Sequence, residues 1–169
     1  MIALSTTLGY TAVMDEQRLH ALDERHLAAW RTFITAHAAL IDAIERDLRA
    51  AGVISLTWYD VLIELAEAPN RRLRLHELAR AVVLSRSGLT RLVDRIEAAG
   101  LLRREACLED RRGAYAVLTA DGAQALRTAW PVYARGIATH FARHLSDADA
   151  ATLDGALGRA LTAARADST

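Results

Sequence analysis

Lysine is missing from this chain of 169 residues, and arginine supplies all 21 basic positions. The arginine-, alanine- and leucine-rich composition reads as the codon usage of a GC-rich genome more than as chemistry. Cysteine occurs once, as Cys107, which excludes an internal disulfide framework and suggests a reducing compartment. The two prolines, Pro69 and Pro131, leave long stretches free to be helical. No run approaches the roughly 18 apolar residues of a membrane span. The opening MIALSTTLGYTAVMD lacks the basic n-region and long apolar core of a signal peptide, so a cytoplasmic protein is expected. Net charge is absent as well, because 21 acidic residues cancel the arginines. What the chain does have is 52% hydrophobic residues, enough to bury the core of one domain with helical extensions.

The apolar residues fall mostly at helical spacing. Leu22, Leu27, Trp30, Ile34, Leu40, Ile41, Ile44 and Leu48 predict one helix over 15–50, ended by Gly52. Such a helix spans on the order of 50 Å, more than one small core covers, so a second chain or domain is expected along its stripe. A second helix is expected over 57–67 with Thr57 as its cap. Its polar face holds Asp60, read as solvated. After Pro69-Asn70, RLRL at 72–75 suits a short strand. HELARAVVL then gives a helix with Leu78, Ala79, Val82 and Val83 inward. Ser85 caps the next helix, which runs to Ala99 with Leu89, Leu92, Val93 and Ile96 inward. The short gap between these two is helix-turn-helix spacing.

Past Gly100, LLRREACL and GAYAVLT flank EDRRG as the two arms of a hairpin. Helix, helix, hairpin is the order of a winged helix. Thr119 then caps a helix to about His144, bent at Pro131. Ser146 with Asp149 opens a last helix to about Ala164 by a variant of the capping box. The fold class expected is mainly α with a small β wing.

Zero net charge conceals a sorted distribution. From Arg71 to Arg112 the chain holds eleven arginines and six acids, a surplus of +5 balanced by −5 elsewhere. A local surplus of this kind attracts phosphate even where the total does not, although a solvated arginine face gives the same count. The front of the helix after Ser85 tips the balance. Ser85, Arg86, Ser87, Thr90 and Arg91 crowd a position where no core needs them. A recognition helix meets base edges with its N-terminal residues, short hydroxyls permit close approach, and arginine offers a fork to guanine O6 and N7. Gly88 weakens the helix, and its missing side chain allows backbone to approach a duplex. At the hairpin tip, Arg111 and Arg112 suit the negative potential of a minor groove. Asp110 beside them is read as an internal partner that orients one of them or ties the wing to Arg95.

The stretches LTRLVDRIEAAGLLRRE and DRRGAYAVLTADG, set within LTWYDVLIELAEAP…LRLHELARAVVLSRSG, resemble the core of the MarR family of winged-helix transcriptional regulators over about residues 20–165. The resemblance implies a homodimer whose N- and C-terminal helices interdigitate. Residues 1–56 would then form an N-terminal extension and long dimerisation helix, 57–118 the DNA-binding lobe, and 119–169 the C-terminal dimerisation helices. It implies double-stranded DNA as partner, a palindromic operator, recognition contacts at Ser85, Arg86, Ser87, Thr90 and Arg91, and a minor-groove arginine at Arg112. It further implies a repressor released by a small phenolic or anionic effector, with Trp30, His37 and Trp58 on the helices that wall the family's pocket.

Other features weigh less. His140 and His144, four apart on the expected helix, could face one metal, but two histidines without a nearby carboxylate or cysteine are more simply surface residues, and no metal or cofactor is expected. Cys107 lies in the wing beside Arg103, Arg104 and Arg111, which favour a thiolate; an inert thiol is the simpler reading. No catalytic constellation is present, so an enzyme is not expected. The alternative from another class is a winged-helix dimer that serves as a protein-interaction module without specific DNA binding.

Overall fold

In the computed structural model, residues 23–82, 86–107 and 113–166 are described, with the backbone alone at 86 and 87. The long helix α1 spans Glu24–Ala50. Asp23 stands before it, and its carboxylate accepts the His26 N–H at 2.9 Å, satisfying one of the donors a helix start leaves over. The expected helix over 15–50 is thus confined in the described residues to Glu24 onward, and positions 15–22 lie outside them. Packing divides the chain after Ile41. In the first unit, the Trp30, Phe33 and His37 rings follow one another along α1 at 6.0 and 6.3 Å between centroids, the spacing that three and four residues give on a helix.

The second unit holds the core. Helix α2 spans Leu56–Glu67. Its cap is Ser55, whose Oγ accepts the Trp58 N–H at 3.3 Å. This corrects the expectation of Thr57, which lies inside the first turn. Strand β1 (Arg72–Arg74) and helix α3 (Leu75–Ala81) follow. Next come α4 (Arg86–Ala98), β2 (Leu102–Ala106) and β3 (Ala114–Leu118). The strands form an antiparallel sheet in the order β1-β3-β2. The hairpin pairs Leu102 with Leu118 and Ala106 with Ala114, and β1 pairs Arg74 with Tyr115. Leu48, Val61, Leu62, Leu65, Leu78, Val93, Ile96 and Leu102 are the large side chains most completely enclosed.

Two glycines end helices in the same way. Gly52 and Gly100 adopt φ of 66° and 75°, the left-handed region where a Cβ is penalised. After Gly100, the Leu101 N–H reaches back to the Ile96 carbonyl at 3.1 Å, and after Gly52 the Val53 N–H reaches Leu48 at 3.2 Å. These are the reversed bonds that satisfy carbonyls at a helix end.

Helix α5 spans Ala120–His140 with Pro131 inside it. It stops short of the expected His144. Phe141 leaves helical geometry at φ −123° and ψ −67°, and a 3-10 turn covers Ala142–His144. Helix α6 spans Asp147–Ala166. Its capping box forms as expected: the Ser146 N–H donates to Asp149 Oδ2 at 3.0 Å and the Asp149 N–H to Ser146 Oγ at 3.2 Å. No residue of α6 is buried, although Leu153, Leu157 and Leu161 recur every fourth position and are 37–51% exposed. Among the described residues, no helix is long and apolar enough to cross a membrane.

Candidate nucleic-acid interface

Helix α4 divides cleanly. Leu89, Leu92, Val93 and Ile96 are 0–3% exposed, while Thr90, Arg91 and Arg95 face solvent. The 3.6-residue repeat alone produces this split. Arg86 and Ser87 lie in the helix's first turn. Ser85, Asp110, Arg111 and Arg112 lie outside the described residues, so the expected tie between Asp110 and Arg95 has no counterpart to report.

A different brace holds α4 to the sheet. Arg104, on β2, donates from Nη2 to Asp94 Oδ1 at 2.5 Å and from Nη1 to Glu97 Oε2. Its backbone N–H donates to Glu97 Oε1 at 2.7 Å. Partial burial works against the guanidinium charge, but the hydrogen bonds it donates to Asp94 and Glu97 outweigh it and raise the Arg104 pKa. The sequence reading missed this group. Its signal was available: acids at 94 and 97 share one helix face, and Arg104 points to the opposite side of its strand from Arg103 and Glu105.

The brace also occupies acids that would otherwise oppose the arginines of this surface. Asp94 and Glu97 are engaged by Arg104. Glu105 is engaged by Arg103, and Glu77 accepts the Arg74 N–H at 3.0 Å. Among the described residues, these four acids of the middle segment are engaged within its own framework, and Arg91 and Arg95 stand on the outward side of α4.

The far end of α4 is locked to the start of α5. Thr119 Oγ1 donates to the Gly100 carbonyl at 2.8 Å and accepts the Gly122 N–H at 3.0 Å. The Thr119 N–H donates to the Leu101 carbonyl at 3.2 Å. Gly122 makes this approach possible: a Cβ there would lie 2.0 Å from the Leu101 oxygen and 2.8 Å from Leu118 Cδ1. Tyr59 on α2 packs against Trp130 and Tyr133 of α5 at 6.5 and 5.1 Å, a second tie between the lobe and that helix.

The remaining candidates find simpler settings. His140 and His144 do not share a helix face. His140 instead lies 2.8 Å from Asp47 Oδ2 on α1, and His144 belongs to the 3-10 turn. The expectation of no carboxylate near these histidines is therefore corrected. No group of three or more metal-ligating side chains occurs among the described residues. Cys107 is 6% exposed, and its N–H closes the base of the hairpin on the Gly113 carbonyl at 3.1 Å. Of the expected pocket residues, Trp30 is 59% exposed, His37 is exposed, and Trp58 is half-buried. Asp60 keeps an exposed edge but lines a cleft of about 230 Å³ with Ile63, Glu64, Ala81 and Val82. Desolvation there, then Glu45 and Glu64, raise its pKa, so it is less freely solvated than its helix face suggested.

Comparison with known proteins agrees with this arrangement. The sequence profile of the MarR family matches residues 54–113. The chain is similar to AbsC, a MarR family transcriptional regulator from Streptomyces coelicolor, with 34% identity over 86% of this chain and 97% of AbsC and a TM-score of 0.78. It is similar to Sco3205, another such regulator from the same organism, solved in complex with DNA, with 33% identity over 83% and 88% of the two chains and a TM-score of 0.75. BpsR of Bordetella bronchiseptica, whose DNA binding is regulated by 6-hydroxynicotinic acid, shares the fold at 17% identity, with 78% and 97% covered and a TM-score of 0.70. No curated protein matches the sequence.

Proposed function

The chain belongs to the MarR family of winged-helix, DNA-binding transcriptional regulators, and from that premise we propose that it is a homodimeric repressor of a palindromic operator, released by a small phenolic or anionic effector. The observation that carries the DNA-reading role is α4 itself. Its apolar side is sealed into the lobe, Arg104 holds its last turns to β2, and Thr90, Arg91 and Arg95 stand on the open side. Ser85, Arg86, Ser87, Thr90 and Arg91 are assigned to the major groove. Arg111 and Arg112 are assigned to the backbone and minor groove beside it, the arginine-favouring site.

Dimerisation is supported by apolar surface exposed among the described residues. Leu153, Leu157 and Leu161 on α6 form one such stripe, and Trp30, Phe33 and Ile34 on α1 form another, 40–59% exposed. A helix with an apolar face that the protomer does not bury calls for a partner. The effector response rests on the family alone. No step of this reading needs catalysis.

The test is a titration of the purified protein against its own upstream DNA and a scrambled duplex, each at two salt concentrations. Tight binding confined to the upstream duplex and weakened steeply by salt is expected. Equal, weak binding to both, with a flat salt dependence, would favour a protein-interaction module instead.

A further inference from the structure

We propose that Thr119 is a positioning residue for DNA reading: its hydroxyl fixes the angle between α5 and the lobe that carries α4, and with it the place at which the start of α4 meets a duplex. Three elements meet at this residue. Leu118, the last residue of β3, pairs with Leu102 at the start of β2. The end of α4 closes through Gly100, whose N–H reaches the Glu97 carbonyl at 2.8 Å. Helix α5 opens at Ala120 with Thr119 as its cap. Thr119 Oγ1 accepts the Gly122 N–H at 3.0 Å and donates to the Gly100 carbonyl at 2.8 Å, so one hydroxyl joins α5 to the end of α4. This inference rests on the DNA-binding reading above.

The donated bond is more than a helix cap requires. A cap needs only an acceptor, and aspartate serves that purpose at least as well as threonine. Threonine adds a donor, and the carbonyl it meets belongs to a helix end, where such groups lack intrahelical partners. The surroundings are close on both sides of that bond. The Thr119 N–H donates to the Leu101 carbonyl at 3.2 Å and the Leu101 N–H to Ile96 at 3.1 Å, while the Leu101 oxygen lies against Gly122. Further along α5, Trp130 and Tyr133 pack against Tyr59. Apolar packing of that kind is non-directional, whereas a hydrogen bond weakens steeply as its angle departs from linear.

Helix α4 turns a small angle into a large displacement. Its 13 residues make a rod of about 20 Å, gripped at the end far from its first turn. A change of about 5° at the junction therefore moves the start of α4 by about 1.7 Å. Base-edge contacts need placement within about 0.5 Å and do not survive such a shift. Phosphate contacts carry no sequence information, and long arginine side chains follow the movement. The hold of Arg104 on Asp94 and Glu97 carries the sheet with α4, so the lobe turns on α5 as one body.

The experiment titrates full-length wild type, Thr119→Ser, Thr119→Asp and Thr119→Val against the upstream duplex and a scrambled one, at one salt concentration and well below each melting temperature. Serine keeps both hydrogen bonds. Aspartate keeps the acceptor that caps α5 and removes the donor to Gly100. Valine removes both. The preference for the upstream duplex should stay within about twofold of wild type in Thr119→Ser and fall at least about fivefold, one base-edge pair's worth, in Thr119→Asp and Thr119→Val. The charge added by aspartate weakens binding to both duplexes and cancels in that ratio. A capping role alone would lower the melting temperature of Thr119→Val and leave the preference of every folded variant untouched. If Thr119→Val does not melt as a folded protein, Thr119→Asp carries the test. Wild-type preference in Thr119→Asp, or an equal loss in Thr119→Ser, overturns this inference and leaves the DNA-binding reading standing. Absence of any preference in the wild type overturns both.

Discussion

Replacing Gly122 with alanine puts the junction between α4 and α5 to a quantitative test. The new Cβ would sit 2.0 Å from the Leu101 carbonyl oxygen and 2.8 Å from Leu118 Cδ1. The leucine methyl can rotate away. The carbonyl cannot, because the Thr119 N–H holds it at 3.2 Å and it lies next to the carbonyl gripped by Thr119 Oγ1. Relief therefore requires the first turn of α5 to move by more than 1 Å, roughly the gap to an ordinary carbon–oxygen contact. Overpacking costs about 1–3 kcal/mol, and more where backbone must shift. Alanine returns about 1 kcal/mol through helix propensity, so a net loss of about 2 kcal/mol is expected, a drop in melting temperature of roughly 4–8 °C for a chain of this size. Gly100→Ala is the matched control. Nothing lies within 4 Å of a Cβ there and only the φ of 75° is at stake, so about 1 kcal/mol is expected from the left-handed penalty alone. Both variants are measured by urea unfolding at one fixed chain concentration, since the proposed dimerisation would make stability concentration-dependent. A Gly122→Ala protein within about 0.5 kcal/mol of wild type would refute the reasoning, because the junction would then have slack.

Four further outcomes are expected. Arg112→Ala should weaken operator binding by about 1–3 kcal/mol with an unchanged melting temperature; equal affinity at matched salt would remove it from the minor groove. Arg104→Met strips the brace between β2 and α4 and should cost about 1 kcal/mol in unfolding, with a larger proportional loss in DNA affinity than in fluorescence-detected dimer formation. Asp60→Asn should raise the unfolding midpoint at pH 7 and leave it unchanged near pH 3. Desolvation and its acidic neighbours raise the Asp60 pKa in the fold, so the ionised carboxyl is disfavoured there and stability is lost as pH rises through that raised value. The sign is opposite at Asp149, whose pKa the Ser146 hydroxyl and backbone hold below its ordinary 3.8. Its contribution is present above 3.8 and fades as pH falls through the lowered value, and Ser146→Ala should return its NMR titration toward the ordinary one.

Local periodicity and end signals were legible in the sequence. The inward residues of α4, the glycine stops at 52 and 100, the Thr119 cap and the Ser146–Asp149 box depend on neighbours within about five positions, and each appears where those neighbours placed it. The two arms of the hairpin were legible for the same reason, and so was the family. At the start of α2 the expectation of Thr57 fell two residues late, and Ser55 is the cap. The point at which α5 yields to the turn before α6 was likewise settled at Phe141, with no glycine or proline to mark it.

Contacts between residues far apart in the chain were decided only by the tertiary structure. His140 meets Asp47 across 93 positions, so its partner is invisible to any reading of its own helix. Arg104 shows the same limit at closer range: strand alternation sends it one way and Arg103 the other, but only the packing of β2 on α4 determines that it meets Asp94 and Glu97. The sequence by itself determined that arginine is concentrated between Arg71 and Arg112. Which arginines brace the lobe and which face outward is a property of the assembled sheet and helix, because a charge is committed by whatever the fold brings within reach of it.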